Sequence, residues 1–261
     1  MATKLPLILL PPSEGKATGG DGPRWSPGSM AIDLDQERQA VLRALATAME
    51  AEQASRKRLL GVTGATLARA TESNRLAAGA PTMPAIERYT GALYDAMDQS
   101  SLSASERRRL HASVVIFSGL WGIVMPADPI PDYRLKMGAA LAPMGKLSRW
   151  WRDAVSERLV ALGAKRAIWN LLPNEHAAAW APQPEFAQWK VRFLDRQADG
   201  SLTAVSHDNK SLKGALVRHL VAHPDTSLAD LRTWKHPAGY RYAPKATEHR
   251  GGVTVVSMIR G

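Results

Sequence analysis

SGLWGIVMPADPIPDYRLKMG, residues 118–138, follows a short apolar run at 114–117 that reads as a buried strand. Gly119 and Gly122 carry no Cβ, so backbone N–H groups there can approach a ligand closely. Pro126, Pro129 and Pro131 remove backbone freedom and hold Asp128, Asp132, Tyr133 and Arg134 stiffly. A rigid polar loop behind a buried strand is a common place for a site. The same stretch also reads as a tight crossover in which Arg134 pairs with Asp128 or Asp132, and taken alone it leaves both readings open.

Around this loop the chain alternates short apolar runs with helical periodicity. Residues 7–10 read as a first buried strand that enters a loop at Pro11, Pro12 and Ser13. Val41, Leu42, Leu45 and Met49 fall at helical spacing within one long helix over 35–58. A second helix is expected over 66–78, and a third starts at Pro84 and carries Tyr89, Gly91 and Tyr94. Ser103 and Glu106 form a capping-box pair before a helix over 104–111, which leads into a strand over 113–117. Beyond the loop, an amphipathic helix is expected over 146–162, a buried strand over 167–171 and a short helix over 174–180. Residues 191–194 and 202–206 read as a hairpin turning at Asp199-Gly200. A basic helix over 209–222, a short helix over 227–234 and a last strand over 253–259, at or near a sheet edge, complete the chain. The loose alternation predicts an α/β or α+β body with a mixed sheet surrounded by helices.

The 261 residues suffice for one large domain with a substantial core, and 45% hydrophobic with 22% charged residues is ordinary globular composition. No apolar run is long enough to cross a bilayer, so no membrane partner is expected. The start, MATKLPLILLPPSEGK, reads as strand and loop rather than a signal peptide, because its apolar core is short and no small-residue cleavage site follows. The absence of cysteine removes disulfide and thiolate chemistry and suits a reducing compartment. A net charge of +10 makes a polyanion the expected partner, against the alternative of a generally basic, Arg-rich composition.

Several short motifs in order resemble the YaaA family of bacterial peroxide-stress-response proteins. They are Ser13 and Lys16 in LILLPPSEGK, then Tyr89-Thr90-Gly91, then Ser118-Gly119-Leu120-Trp121-Gly122. Pro126 and Asp128, Tyr133-Arg134, and Met137-Gly138 follow, then Asn170-Leu171 with Glu175, Lys210 with Lys213-Gly214, and Gly239-Tyr240. The chain departs from the pattern in its stretched PPSEGK loop, in Lys213 where an arginine is common, and in the Leu-Pro-Asn that follows Asn170-Leu171. The resemblance implies one domain over residues 1–261 with a positively charged cleft, a cytoplasmic location, double-stranded DNA binding, and protection from peroxide through limiting free iron. SGLWG further resembles the hairpin of a helix-hairpin-helix motif, in which backbone N–H groups meet a phosphate.

Most of the candidate side chains stand near expected strand ends or helix starts. Ser13, Lys16, Arg134, Lys210 and Lys213 would meet phosphate, with Gly119 and Gly122 adding N–H donors and Asp128 and Tyr133 shaping the loop. Tyr89 and Trp121 would offer faces to a base. In an enzyme acting on a nucleotide, nucleoside or nucleobase-like substrate, Glu175 would be the base, Asn170 would orient water or substrate, and Tyr89 and Ser118 would position it. His219 and His223 lie four apart on an expected helix, but no cysteine or carboxylate set completes a metal site. No metal or cofactor is therefore expected, the partners are duplex DNA or an anionic nucleotide-like molecule, and a monomer is favoured.

Overall fold

A computed structural model describes residues 5–183, 186–205 and 209–261. Met1–Lys4 of the signal-like start, and Ser206 of the expected hairpin, lie outside the described residues. The main sheet contains β1 (Leu7–Leu10), β2 (Val114–Ser118), β3 (Gly122–Val124), β4 (Ile168–Asn170), β5 (Gln188–Arg196), β6 (Leu202–Ala204), β7 (Arg241–Tyr242), β8 (Glu248–Arg250) and β9 (Val253–Arg260). Its order is β7-β9-β5-β4-β1-β2-β3, with β6 beside β5 and β8 beside β9. The inner strands β2, β1, β4, β5 and β9 are all parallel, and the antiparallel strands lie outside them. Ile8 faces Val114 on one side and Trp169 on the other, and Leu9 faces Val115 and Asn170. LILL, VVIFS and IWN are buried throughout, as continuous apolar strands of a sheet covered on both faces must be.

The helices are α1 (Asp35–Met49), α2 (Gln53–Leu60), α3 (Gly64–Leu76), α4 (Ala85–Arg88), α5 (Ala92–Met97), α6 (Ala104–Ser113), α7 (Leu147–Trp150), α8 (Arg152–Gly163), α9 (Asn174–Ala177) and α10 (Asn209–Ala222). The expected helix over 35–58 is two helices. Its buried stripe, Val41, Leu42, Leu45 and Met49, ends at Met49, and α2 buries only Leu60. The helix expected from Pro84 breaks at Tyr89, which forms a bridge with Lys16 while the Thr90 N–H donates to the Gly15 carbonyl. The capping box at Ser103 and Glu106 is present in both directions and contributes on the order of 1 kcal/mol. Within 227–234 only Asp230–Arg232 is helical, as a short 3-10 helix, although Ser227 and Asp230 cap each other reciprocally. The last strand lies next to the sheet edge, within the expected range. It pairs with β5 on one side and with β7 and β8 on the other, two short polar segments with little apolar pattern to announce them.

From β1 the chain crosses to β2 on one side and only later to β4 on the other, so the order reverses at β1. Ligands of open α/β sheets bind outside the carboxyl ends of the strands at such a reversal. Here that place is framed by the segments leaving Leu10 and Asn170.

Candidate functional site

A cavity of about 500 Å³ opens where the fold requires it. The Pro11–Lys16 segment after β1 and Pro173, Glu175 and His176 after β4 form part of its wall. The start of α5, residues 133–136 of the long loop and the first turn of α10 close the rest. Ser13, Lys16, Tyr133, Arg134, Glu175, Lys210 and Lys213 therefore come together from distant parts of the chain.

Lysine and arginine dominate the charge of this wall. The Lys16 ammonium donates to the Ser13 carbonyl at 3.0 Å and lies 4.4 Å from the centre of the Tyr133 ring. Burial pulls its pKa down to about 8, against the opposing pull of Asp132. Lys213 donates to the Leu171 carbonyl at 2.9 Å, and burial with nearby Lys190 lowers it to about 8 as well. Lys210 is exposed at the start of α10. Asn74, buried in α3, clamps the backbone of Arg134 from both sides, accepting its N–H and donating to its carbonyl at 2.8 Å each. The Arg134 guanidinium donates to Glu14 at 2.8 Å, and Lys136 lies 3.4 Å from the other oxygen of the same carboxylate. Partial burial pushes the Glu14 pKa up, but Lys136 and Arg134 outweigh it and hold the group below the usual range. Glu175 accepts the Gly138 N–H at 2.7 Å.

Three side chains of this wall carry a buried polar atom without a partner: Arg134 Nε, His176 Nδ1 and Asn209 Oδ1. Burial lowers the His176 pKa to about 4, so the ring is neutral at physiological pH. Unmatched buried donors and acceptors are costly, and their gathering in one cavity suits a polar ligand.

Other expected site residues lie behind the cavity. Tyr133 OH bonds both Tyr89 OH and Ser118 Oγ at 2.7 Å, and Ser118 Oγ accepts the Trp121 N–H. Burial raises the Tyr133 hydroxyl to about 12, so this chain of hydroxyls stays protonated and serves as a floor under Lys16. Tyr89 is 2% exposed and Trp121 0%, so neither offers a face to a base. Gly119 and Gly122 flank a buried β-hairpin turn rather than a ligand. A Cβ on Gly119 would sit 2.6 Å from the Leu135 carbonyl, and one on Gly122, where φ is +71°, 2.8 Å from the Trp151 ring. That burial also removes the phosphate-facing geometry of a helix-hairpin-helix. Asp128 is buried and accepts the N–H groups of Ala31 and Met125, and Asp132 pairs with Arg69, so neither takes Arg134. Asn170 accepts the Leu172 N–H and shapes the turn that presents Glu175.

The His219 ring lies 4.7 Å from that of His223 and stacks on Trp234. Among the described residues, no three His, Asp or Glu side chains gather into a metal-holding cluster, and no helix is long and apolar enough to cross a membrane. Glu14, Lys136, Asn74 and His176 escaped the sequence reading. Glu14 and Lys136 stand within motifs already singled out, and their opposite charges were the available signal. Nothing near Asn74 in sequence announces the cavity, whereas His176 directly follows the expected site residue Glu175.

The family described as Peroxide stress protein YaaA matches residues 7–246. A UPF0246 protein of Streptomyces coelicolor is 39% identical over 218 residues, which cover 83% of each chain. A UPF0246 protein of Corynebacterium glutamicum is 35% identical over 219 residues, covering 82% of this chain and 84% of its own.

Proposed function

The chain belongs to the YaaA family of peroxide stress proteins, and from that premise we propose that it binds double-stranded DNA through the basic cleft during oxidative stress. The observation that carries this reading is the convergence of Lys16, Arg134, Lys136, Lys210 and Lys213 on one cavity, against Glu14 and Glu175 as the acids among the described residues of its wall. A cavity of about 500 Å³ admits a backbone segment, not a duplex. Phosphates of one strand would therefore enter the mouth while the helix rests outside it. Such contacts position a duplex without reading its bases. Protection against damage linked to free iron would then be exerted at the DNA. Titrating a fluorescent duplex at low salt tests this: binding should be sequence-tolerant and weaken steeply with salt. Failure to bind at low salt contradicts it.

A second reading, an enzyme acting on a nucleotide or related substrate in the same cleft, is favoured by one specific feature. Two lysines held near pH 8 beside a carboxylate fixed by the Gly138 N–H are typical of tuned catalytic groups. Glu175 would be the base, with Lys16 and Arg134 on the anionic group. Turnover of a nucleotide panel that is lost in Glu175→Gln would establish it over the binder.

A further inference from the structure

Glu14 spans Arg134 and Lys136 with both oxygens, at 2.8 and 3.4 Å, yet its side chain is 61% exposed. Arg134 is left half-engaged, since one terminal nitrogen donates to Glu14 while the buried Nε has no partner. A carboxylate so placed presents the charge and oxygens of a phosphate without completing the arginine's two-pronged donor set. Glu14 also stands on a partition. Together with Gly15, Lys16, Thr90, Tyr133 and Arg134 it lines both the cleft and a neighbouring cavity of about 430 Å³, whose far wall holds Arg69 and Ser73 with the Asp132 carboxylate that both donate to.

We infer that Arg134 and Lys136 form a phosphodiester subsite whose resting occupant is the Glu14 carboxylate, and that an incoming nucleic-acid phosphate displaces it. This rests on the reading of the cleft as a phosphate binder. Exposed ion pairs contribute little to stability, so the exchange is inexpensive. The phosphate adds acceptor oxygens that reach the unpartnered Nε, and it holds its charge against both cations. Swinging Glu14 aside joins the two cavities into one trough, whose far end stays closed to a second phosphate by the Asp132 carboxylate paired with Arg69. Glu14 thereby acts as an internal competitor that screens weak anions from the site.

The test measures binding of a fluorescent duplex of about 20 base pairs at low salt, and of inorganic pyrophosphate by calorimetry. Wild type, Glu14→Gln and Glu157→Gln are compared. Glu157 is a somewhat more exposed acid, at 72% against 61% for Glu14, that pairs with Arg158 outside the cavity, so it controls for net charge. Glu14→Gln should tighten both probes about fivefold, and Glu157→Gln should leave them unchanged. Equal or weaker binding by Glu14→Gln, or the same gain in Glu157→Gln, overturns the inference. Tightening for pyrophosphate with no duplex binding by any variant removes the DNA reading and leaves the subsite standing. No binding of either probe by any variant overturns both.

Discussion

Both halves of the 118–138 stretch carry polar residues, glycine and proline, yet they do opposite work. In the first half the chain is sealed. The Arg38 guanidinium, itself fully buried, donates to the carbonyls of Trp121 and Ile123, Trp151 donates to the Gly119 carbonyl, and Asp128 takes two backbone N–H groups. In the second half, Arg134 and Lys136 face a cavity, and the arginine keeps a donor unmatched. Trp121 Nε1 in the sealed half is unmatched as well, so an unmet donor marks a binding surface only where it stands beside a cavity. Rigidity and polarity alone do not separate the two.

The largest effect should come from the sealed half. Trp121→Ala empties the centre of the hairpin and should cost about 3–5 kcal/mol in denaturant unfolding. The molecules that remain folded should bind DNA as before, and a loss in that fraction would move the hairpin into the interface. Arg134→Gln should do the reverse, weakening duplex binding about tenfold while changing stability by about 1 kcal/mol or less. A large loss of stability would make it a structural residue like Arg38.

The pH response sharpens the contrast further. Lys16 and Lys213 titrate near 8 when folded, against the ordinary 10.5. From about pH 8 to 10.5 the unfolded chain therefore holds more protons, and stability should rise with pH across that window. Below it both states are protonated, so the full cost of burying the charges is present. Duplex affinity should fall over the same window as the cleft loses charge. Denaturant midpoints and binding curves at pH 7 and 9 check both signs, and stability falling with pH would contradict the assignment. The smallest effect belongs to Glu175→Gln, which should change duplex affinity by about twofold or less, since the amide oxygen can still accept the Gly138 N–H.

Local pattern made the frame legible. Leu7–Leu10 and Asn209–Ala222 stand where apolar runs and periodicity put them, and the Ser103 cap starts α6 as its chemistry requires. Position along the chain also brought Lys16, Arg134, Glu175, Lys210 and Lys213 to one cavity, because each follows a strand or opens a helix near the reversal of strand order. The side chain's direction was not legible. Tyr89, Ser118 and Trp121 carry ligand-like chemistry but point inward, since Tyr133 and the Trp151 ring fill the space they would have needed. Partners far apart in sequence were hidden too: Asn74 meets Arg134 across 60 positions and Arg38 meets Trp121 across 83.

The central claim concerns backbone phosphate held by cleft cations, and the salt dependence of duplex binding reads it directly. For wild type, the logarithm of the binding constant should fall against the logarithm of salt concentration with a slope of about −3 to −4, and Lys16→Gln or Arg134→Gln should each make that slope shallower by about 1. A flat wild-type response, or the same slope in every variant, would contradict it.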